Sequence, residues 1–140
     1  MSNNTNLLLD THTWIWLNNG SNELSNKIIR QIDHAAENGN VFISAISVWE
    51  IATLTAKKRL ILRTSLREWV DEALSQMGVN LVPIAPDISI ESVELPNGFH
   101  GDPADRLIVA TARIKRMVIL TRDSKILTYA KEGFIQTIEV

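Results

Sequence analysis

"DPADRLIVATARIKRMVILTRD", Asp102 to Asp123, carries the order on which the fold turns. An aspartate and a proline open an apolar stretch at helical spacing, and the stretch closes on Arg113, Lys115 and Arg116. Asp102 suits an N-cap and Pro103 a first helical residue. Asp105 then stands third in the helix, as in a loose capping box with Asp in place of Glu. "MVILT" follows without polar alternation, so it reads as a strand covered on both faces. A helix leading into such a strand is half of a β-α-β unit in a parallel sheet.

The same alternation extends in both directions. "NLLLD" reads as a short buried strand ending at Asp10, and "THTWIWL" as a turn or short helix. "SNELSNKIIRQIDHAAENG" has helical spacing and a glycine stop, and "NVFIS" is a second strand. "AISVWEIATLTAKKRL" and "SLREWVDEALSQMG" read as helices, the first capped by Ser44 or Ser47. "VNLVPI" is a strand, "APDISIESVELP" a short helix, and "NGFHGD" a loop. After "MVILT" come a short helix, "RDSKILTYAKEG", and a last strand, "FIQTIEV". The expected fold class is α/β: a three-layer α/β/α sandwich around a mostly parallel sheet of about five short strands. With 140 residues and no linker-like tract, residues 1–140 are expected to form one domain.

Composition narrows the function. Apolar residues at 45% supply a core, and charged residues at 21% exclude a disordered chain. A net charge of −2 argues against broad, non-specific nucleic-acid binding but leaves room for local basic strips such as Lys57–Arg59 with Arg63 and Arg67. No cysteine is present, which removes thiolate metal sites and thiol nucleophiles and fits a cytoplasmic protein. No apolar run is long enough for a bilayer, and the N-terminus lacks the basic region of a secretory signal.

In a parallel α/β sheet, ligands bind beyond the carboxyl ends of the strands. Asp10 directly follows the first strand, and Asp123 follows "VILT" across one arginine. Glu50 lies early in the helix after "NVFIS", and Asp105 in the first turn after the "NGFHGD" loop. All four are expected at that one edge, with Asp102 a fifth candidate beside them. Each also has a plain structural reading as a cap, a turn residue or a surface acid. Gathered together they would repel, because like charges within ~4–6 Å raise each other's pKa. A cation must then compensate them: either the neighbouring Arg106 and Arg122, or a metal. All-oxygen donors suit Mg²⁺ or Mn²⁺, which activate water and stabilise phosphoryl charge.

"NLLLDTHTWIW", "ISAISVWEIA", "HGDPADRLIVATA" and "ILTRDSKI", in this order over nearly the whole chain, resemble the PIN domain, specifically the VapC-like toxin ribonucleases of bacterial type II toxin–antitoxin pairs. The resemblance implies that Asp10, Glu50, Asp105 and Asp123 are catalytic metal ligands, with Asp102 as a supporting or substitute ligand. It implies Mg²⁺- or Mn²⁺-dependent cleavage of RNA by a metal-activated water. It implies a homodimer and a cognate antitoxin protein that covers the site. Thr11, Thr13 and Thr121 flank the acids as positioning hydroxyls or as caps and turn residues. Trp14, Trp16, Trp49 and Trp69 read as core or dimer packing rather than base-stacking platforms. His12 and His100 read as packing or surface groups.

Other classes fit less well. An aspartyl-nucleophile phosphatase wants a second acid two residues after the first, where this chain has His12, and a phospho-receiver domain wants an early acidic pair. Neither explains Glu50. The remaining alternative is a non-catalytic α/β module that binds RNA or protein and whose acids are only helix caps.

Overall fold

A computed structural model describes residues 4–140. Five strands, β1 (Leu7–Leu9), β2 (Val41–Ser44), β3 (Val79–Val82), β4 (Val118–Thr121) and β5 (Gln136–Glu139), form one sheet in the order β3-β2-β1-β4-β5. Every pairing is parallel; Leu7 lies beside both Val41 and Val118. Parallel neighbours need crossover connections, and helices supply them. Between β1 and β2 run α1 (Thr11–Asn18) and α2 (Asn26–Glu37); between β2 and β3, α3 (Ala45–Ala56) and α4 (Leu66–Leu74). Between β3 and β4 run α5 (Pro86–Val93) and α6 (Pro103–Lys115), and between β4 and β5, α7 (Ser124–Lys131).

The sheet divides two cores. Because successive strand side chains face opposite ways, Leu7 and Leu9 pack with Trp14, Ile28, Ile32 and Trp69 on one side, whereas Leu8 packs with Ile88, Ile108 and Ile126 on the other. The first layer therefore draws on α1 to α4 and the second on α5 to α7. Trp14 meets Trp69 edge-on at 5.1 Å between centroids, which locks α1 to α4. Leu7, Leu8, Leu9, Ile43, Ile119 and Leu120 are wholly buried. Truncating any one to alanine removes ~2–5 kcal/mol by the usual cavity cost.

Several expectations sharpen. "THTWIWL" is a true helix, with Asp10 as its N-cap. The helix within residues 21–39 starts only at Asn26, where the Ser25 hydroxyl accepts from Ile28 N. Ser44 caps α3, but Ser47 caps nothing and is instead buried beside the site. The "KKRL" end of the third helix lies outside it, with Lys58 in the left-handed region. Trp14 and Trp69 are core, Trp16 is half-buried, and Trp49 stands on the surface, so the stretch around Glu50 is less buried than its composition suggests.

The strand order reverses direction between β1 and β4. From β1 the chain builds outward to β2 and β3, then returns across the sheet to β4 and β5. The carboxyl ends of β1 and β4 flank this switch point, where the diverging crossovers open a crevice.

Candidate metal centre

Asp10, Glu50, Asp102, Asp105 and Asp123 line one cavity of about 220 Å³, together with His12, Thr13 and Arg122. Five acids separated by as many as 113 positions (10 to 123) therefore meet at the switch point.

Each acid is placed by its local structure. Asp10 follows β1, is buried, and receives Thr11 N at 2.8 Å on Oδ1 and the Thr121 hydroxyl at 2.6 Å on Oδ2. Asp123 caps α7, its Oδ1 accepting from Lys125 N and Ile126 N, while its own N–H donates to Thr121 Oγ1 at 3.0 Å. Asp102 caps α6 by accepting from Asp105 N at 2.8 Å. Glu50 sits in the second turn of α3 and accepts from the Thr11 hydroxyl. Thr11 spends its only proton on Glu50, so the buried Ser47 hydroxyl, 2.8 Å away, donates to Thr11. Thr13 donates to Leu120 O and so serves the strand rather than an acid.

Three of the five acids are thus helix caps, and capping accounts for them structurally. It does not account for Glu50 or Asp105. No protein donor reaches the Asp105 carboxylate among the described residues, and that side chain is only half-buried, aimed at the shared cavity.

The two neighbouring arginines are engaged elsewhere. Arg106 gives Nε to Gly101 O and Nη1 to Ser92 O. Arg122 turns to the rim, over the Trp16 ring at 4.5 Å, where it pairs with Glu23 and donates to Val140 O. Neither arginine pairs with any of the five acids. The consequence is visible in the carboxyls. Burial, then the charges of Asp102, Asp123, Asp10 and Glu50, pushes Asp105 up to about 7. Burial also raises Asp10, against the lowering bonds from Thr121 and Thr11, and raises Glu50 against the bond from Thr11.

Five carboxylates around one cavity, none of them paired with an arginine, offer the oxygen donors that a hard divalent ion takes. Among the described residues no three Asp, Glu or His groups are drawn close enough to hold an ion as they stand.

The sequence names the threonine hydroxyls but not their partners. That Thr11 serves Glu50 and Thr121 serves Asp10 depends on contacts 39 and 111 residues apart. Adjacency to the acids was the only sequence signal for either threonine.

The family model "PIN domain" matches residues 7–132. Ribonuclease VapC22 of Mycobacterium tuberculosis is 34% identical over 122 residues, covering 87% of this chain and 90% of the relative. Among solved structures, VapBC2 from Rickettsia felis bound to a promoter DNA fragment superposes with a TM-score of 0.69 at 14% identity, over 95% of this chain and 97% of that one. DNA-bound VapBC from Salmonella typhimurium gives 0.67 at 16%, covering 96% and 98%. A toxin–antitoxin complex from Klebsiella pneumoniae gives 0.57 at 27%, covering 85% and 88%. With its parallel sheet, its acids at the switch point and a family match over most of its length, this chain belongs to the PIN domain family.

Proposed function

We propose that this protein is a metal-dependent endoribonuclease and the toxin of a toxin–antitoxin pair. The observation that carries the reading is the convergence of Asp10, Glu50, Asp105 and Asp123 on one cavity, none of them in an ion pair among the described residues. The ribonuclease relative and the toxin–antitoxin structural neighbours support the reaction and the partner.

Asp10, Glu50, Asp105 and Asp123 would hold Mg²⁺ or Mn²⁺, while Asp102 fixes the start of α6 and so the direction of Asp105. When bound, such an ion lowers the pKa of water and offsets charge developing on the phosphoryl group. Thr121 holds Asp10, Thr11, backed by Ser47, holds Glu50, and the first turn of α7 holds Asp123, so three of the four carboxylates have fixed orientations before RNA arrives. The exposed Trp49 on α3 and Ile90 and Val93 on α5, two helices that both pack on α6, offer apolar surface for a second copy of the chain. No helix among the described residues is long and apolar enough to cross a membrane, in keeping with action in the cytoplasm.

The test is cleavage of defined RNAs with and without Mg²⁺ or Mn²⁺, with product ends identified. Asp10→Asn should stay folded and lose cleavage. Cleavage in chelator, or an Asp10→Asn enzyme as fast as the parent, would leave the acids as caps and favour the non-catalytic module.

A further inference from the structure

A second cavity, of about 410 Å³, lies between the loop that leads to Asp102 and the face of α7 that follows Asp123. Its walls are therefore the sequence neighbours of two of the acids. The loop side presents Asn97 and His100, and the helix side presents Ser124, Lys125 and Thr128. Buried rings of Phe99 and Tyr129, 5.0 Å apart, lie at its base.

The loop is held in shape. Asn97 and Gly98 are both left-handed, at φ 60° and 63°, a conformation an asparagine adopts only in a defined tight turn. The Tyr129 hydroxyl donates to Pro96 O at 2.6 Å, pinning the loop to α7. Gly101 packs so closely that an added Cβ would lie 2.4 Å from the Phe99 ring and 2.9 Å from Asp105 Cβ. The loop that walls this cavity is thus packed directly against Asp105.

The charges in this cavity are ordered. Lys125, exposed and in no ion pair among the described residues, stands at the end next to Asp123. Glu132 stands at the other end. Seven residues, two helical turns, separate them, about 10 Å along the axis, too far for the two to neutralise each other. A nucleotide has this polarity: an anionic phosphate at one end and, at the base edge, amino and imino donors. Two buried aromatic rings among the lining residues, hydroxyl and amide groups on the walls, and one charge of each sign at the ends match a nucleotide better than a free anion, which Glu132 would repel.

Resting on the ribonuclease reading above, we infer that this cavity is the subsite for the RNA nucleotide adjoining the scissile phosphate. Lys125 takes the neighbouring phosphate, and Glu132 accepts from the base edge, favouring guanine, whose adjacent imino and amino groups can both donate to one carboxylate, over uracil with its single imino donor.

The experiment uses the intact chain carrying Asp105→Asn to prevent cleavage, with no divalent metal so that binding does not depend on the ion, and follows a short labelled single-stranded RNA by fluorescence anisotropy. Added Lys125→Ala should weaken binding of all sequences alike and reduce the salt slope by about 0.7, the share of one single-strand phosphate contact. Lys115→Ala, which removes the same charge from the far end of α6, should leave both unchanged. In the otherwise wild-type chain, Glu132→Gln should keep the salt slope and level the rates at which RNAs differing at one position are cut. Melting curves check that each variant is folded. An active ribonuclease in which Lys125→Ala binds like Lys115→Ala, or Glu132→Gln keeps the parent's base preference, overturns the subsite and leaves the ribonuclease reading intact. A parent that cuts no RNA overturns that reading; Asp105→Asn that binds no RNA overturns the subsite as well.

Discussion

The Thr121 hydroxyl donates to Asp10 Oδ2 at 2.6 Å, tying the last residue of β4 to the acid that follows β1. Its oxygen also accepts from Asp123 N at 3.0 Å. One buried hydroxyl therefore serves acids on both sides of the switch point. Thr121→Val keeps the shape and loses both bonds. The expected cost is ~1–3 kcal/mol, the penalty for a buried polar group left without its partner. Asp10 loses a bond that lowers its pKa, so the acid limb of the pH–activity profile should move to higher pH. Thr121→Ser should restore the parent profile. If the valine variant's profile overlays the parent's, the hydroxyl does not hold the carboxylate.

Asp105 predicts a stability that depends on pH and metal in opposite senses. Its folded pKa, about 7, lies above the unfolded value of 3.8, so the folded state binds the proton more tightly. The resulting stability is complete below the unfolded pKa and is lost as pH rises through 7. Burial raises Asp10 and Glu50 in the same sense. In chelator the chain should melt at a lower temperature at about pH 8 than at about pH 5.5. Divalent metal competes with the proton, so its stabilising shift should grow over the same range. Asp105→Asn should flatten both trends. Differential scanning fluorimetry across pH, with chelator and with millimolar Mg²⁺, reads both, and a metal shift independent of pH would contradict the assignment.

Fold class and acids were legible because local rules act on them. A non-alternating apolar run followed by an acid, as in Leu7–Asp10, marks a covered strand ending at the functional edge, and Asp102-Pro103 marks a helix start. The hidden part is non-local. Nothing near Arg122 shows that Glu23, 99 residues earlier, takes its guanidinium away from the adjacent Asp123. The sheet order, which makes β1 and β4 neighbours, is likewise set by how the two cores pack. α1 carried little periodic signal because Thr11, Thr13, Trp14 and Ile15 are all buried, so its polar residues do not mark an outer face.

Two glycines separate stability from activity. At Gly101 a Cβ would press on the Phe99 ring and Asp105 Cβ. Gly101→Ala should cost ~1–3 kcal/mol as an overpacked site and lower cleavage further by shifting Asp105. At Gly78, φ is +79° and a Cβ would lie 1.8 Å from Ala36 O, in the layer of α2 and α4, away from the acids. Gly78→Ala should lower the melting temperature at least as much while sparing kcat below the transition. Equal loss of kcat in both would mean that Gly101 acts only through overall stability.

The two aspartates that open α6 should respond oppositely to neutralisation. Asp102 caps the helix, so Asp102→Ala should cost ~0.5–2 kcal/mol relative to Asp102→Asn, which keeps an acceptor at the cap. Asp105 caps nothing and lies among four other acids. Asp105→Asn should therefore raise the melting temperature of the chelated protein above pH 7, because it removes repulsion, and should abolish the metal-induced shift. Asp102→Asn should retain that shift. This pattern follows from a carboxylate kept at a cost in stability for its charge, the usual trade at functional sites. If Asp105→Asn instead destabilises the chelated chain, the carboxylate is structural, and the metal must be held without it.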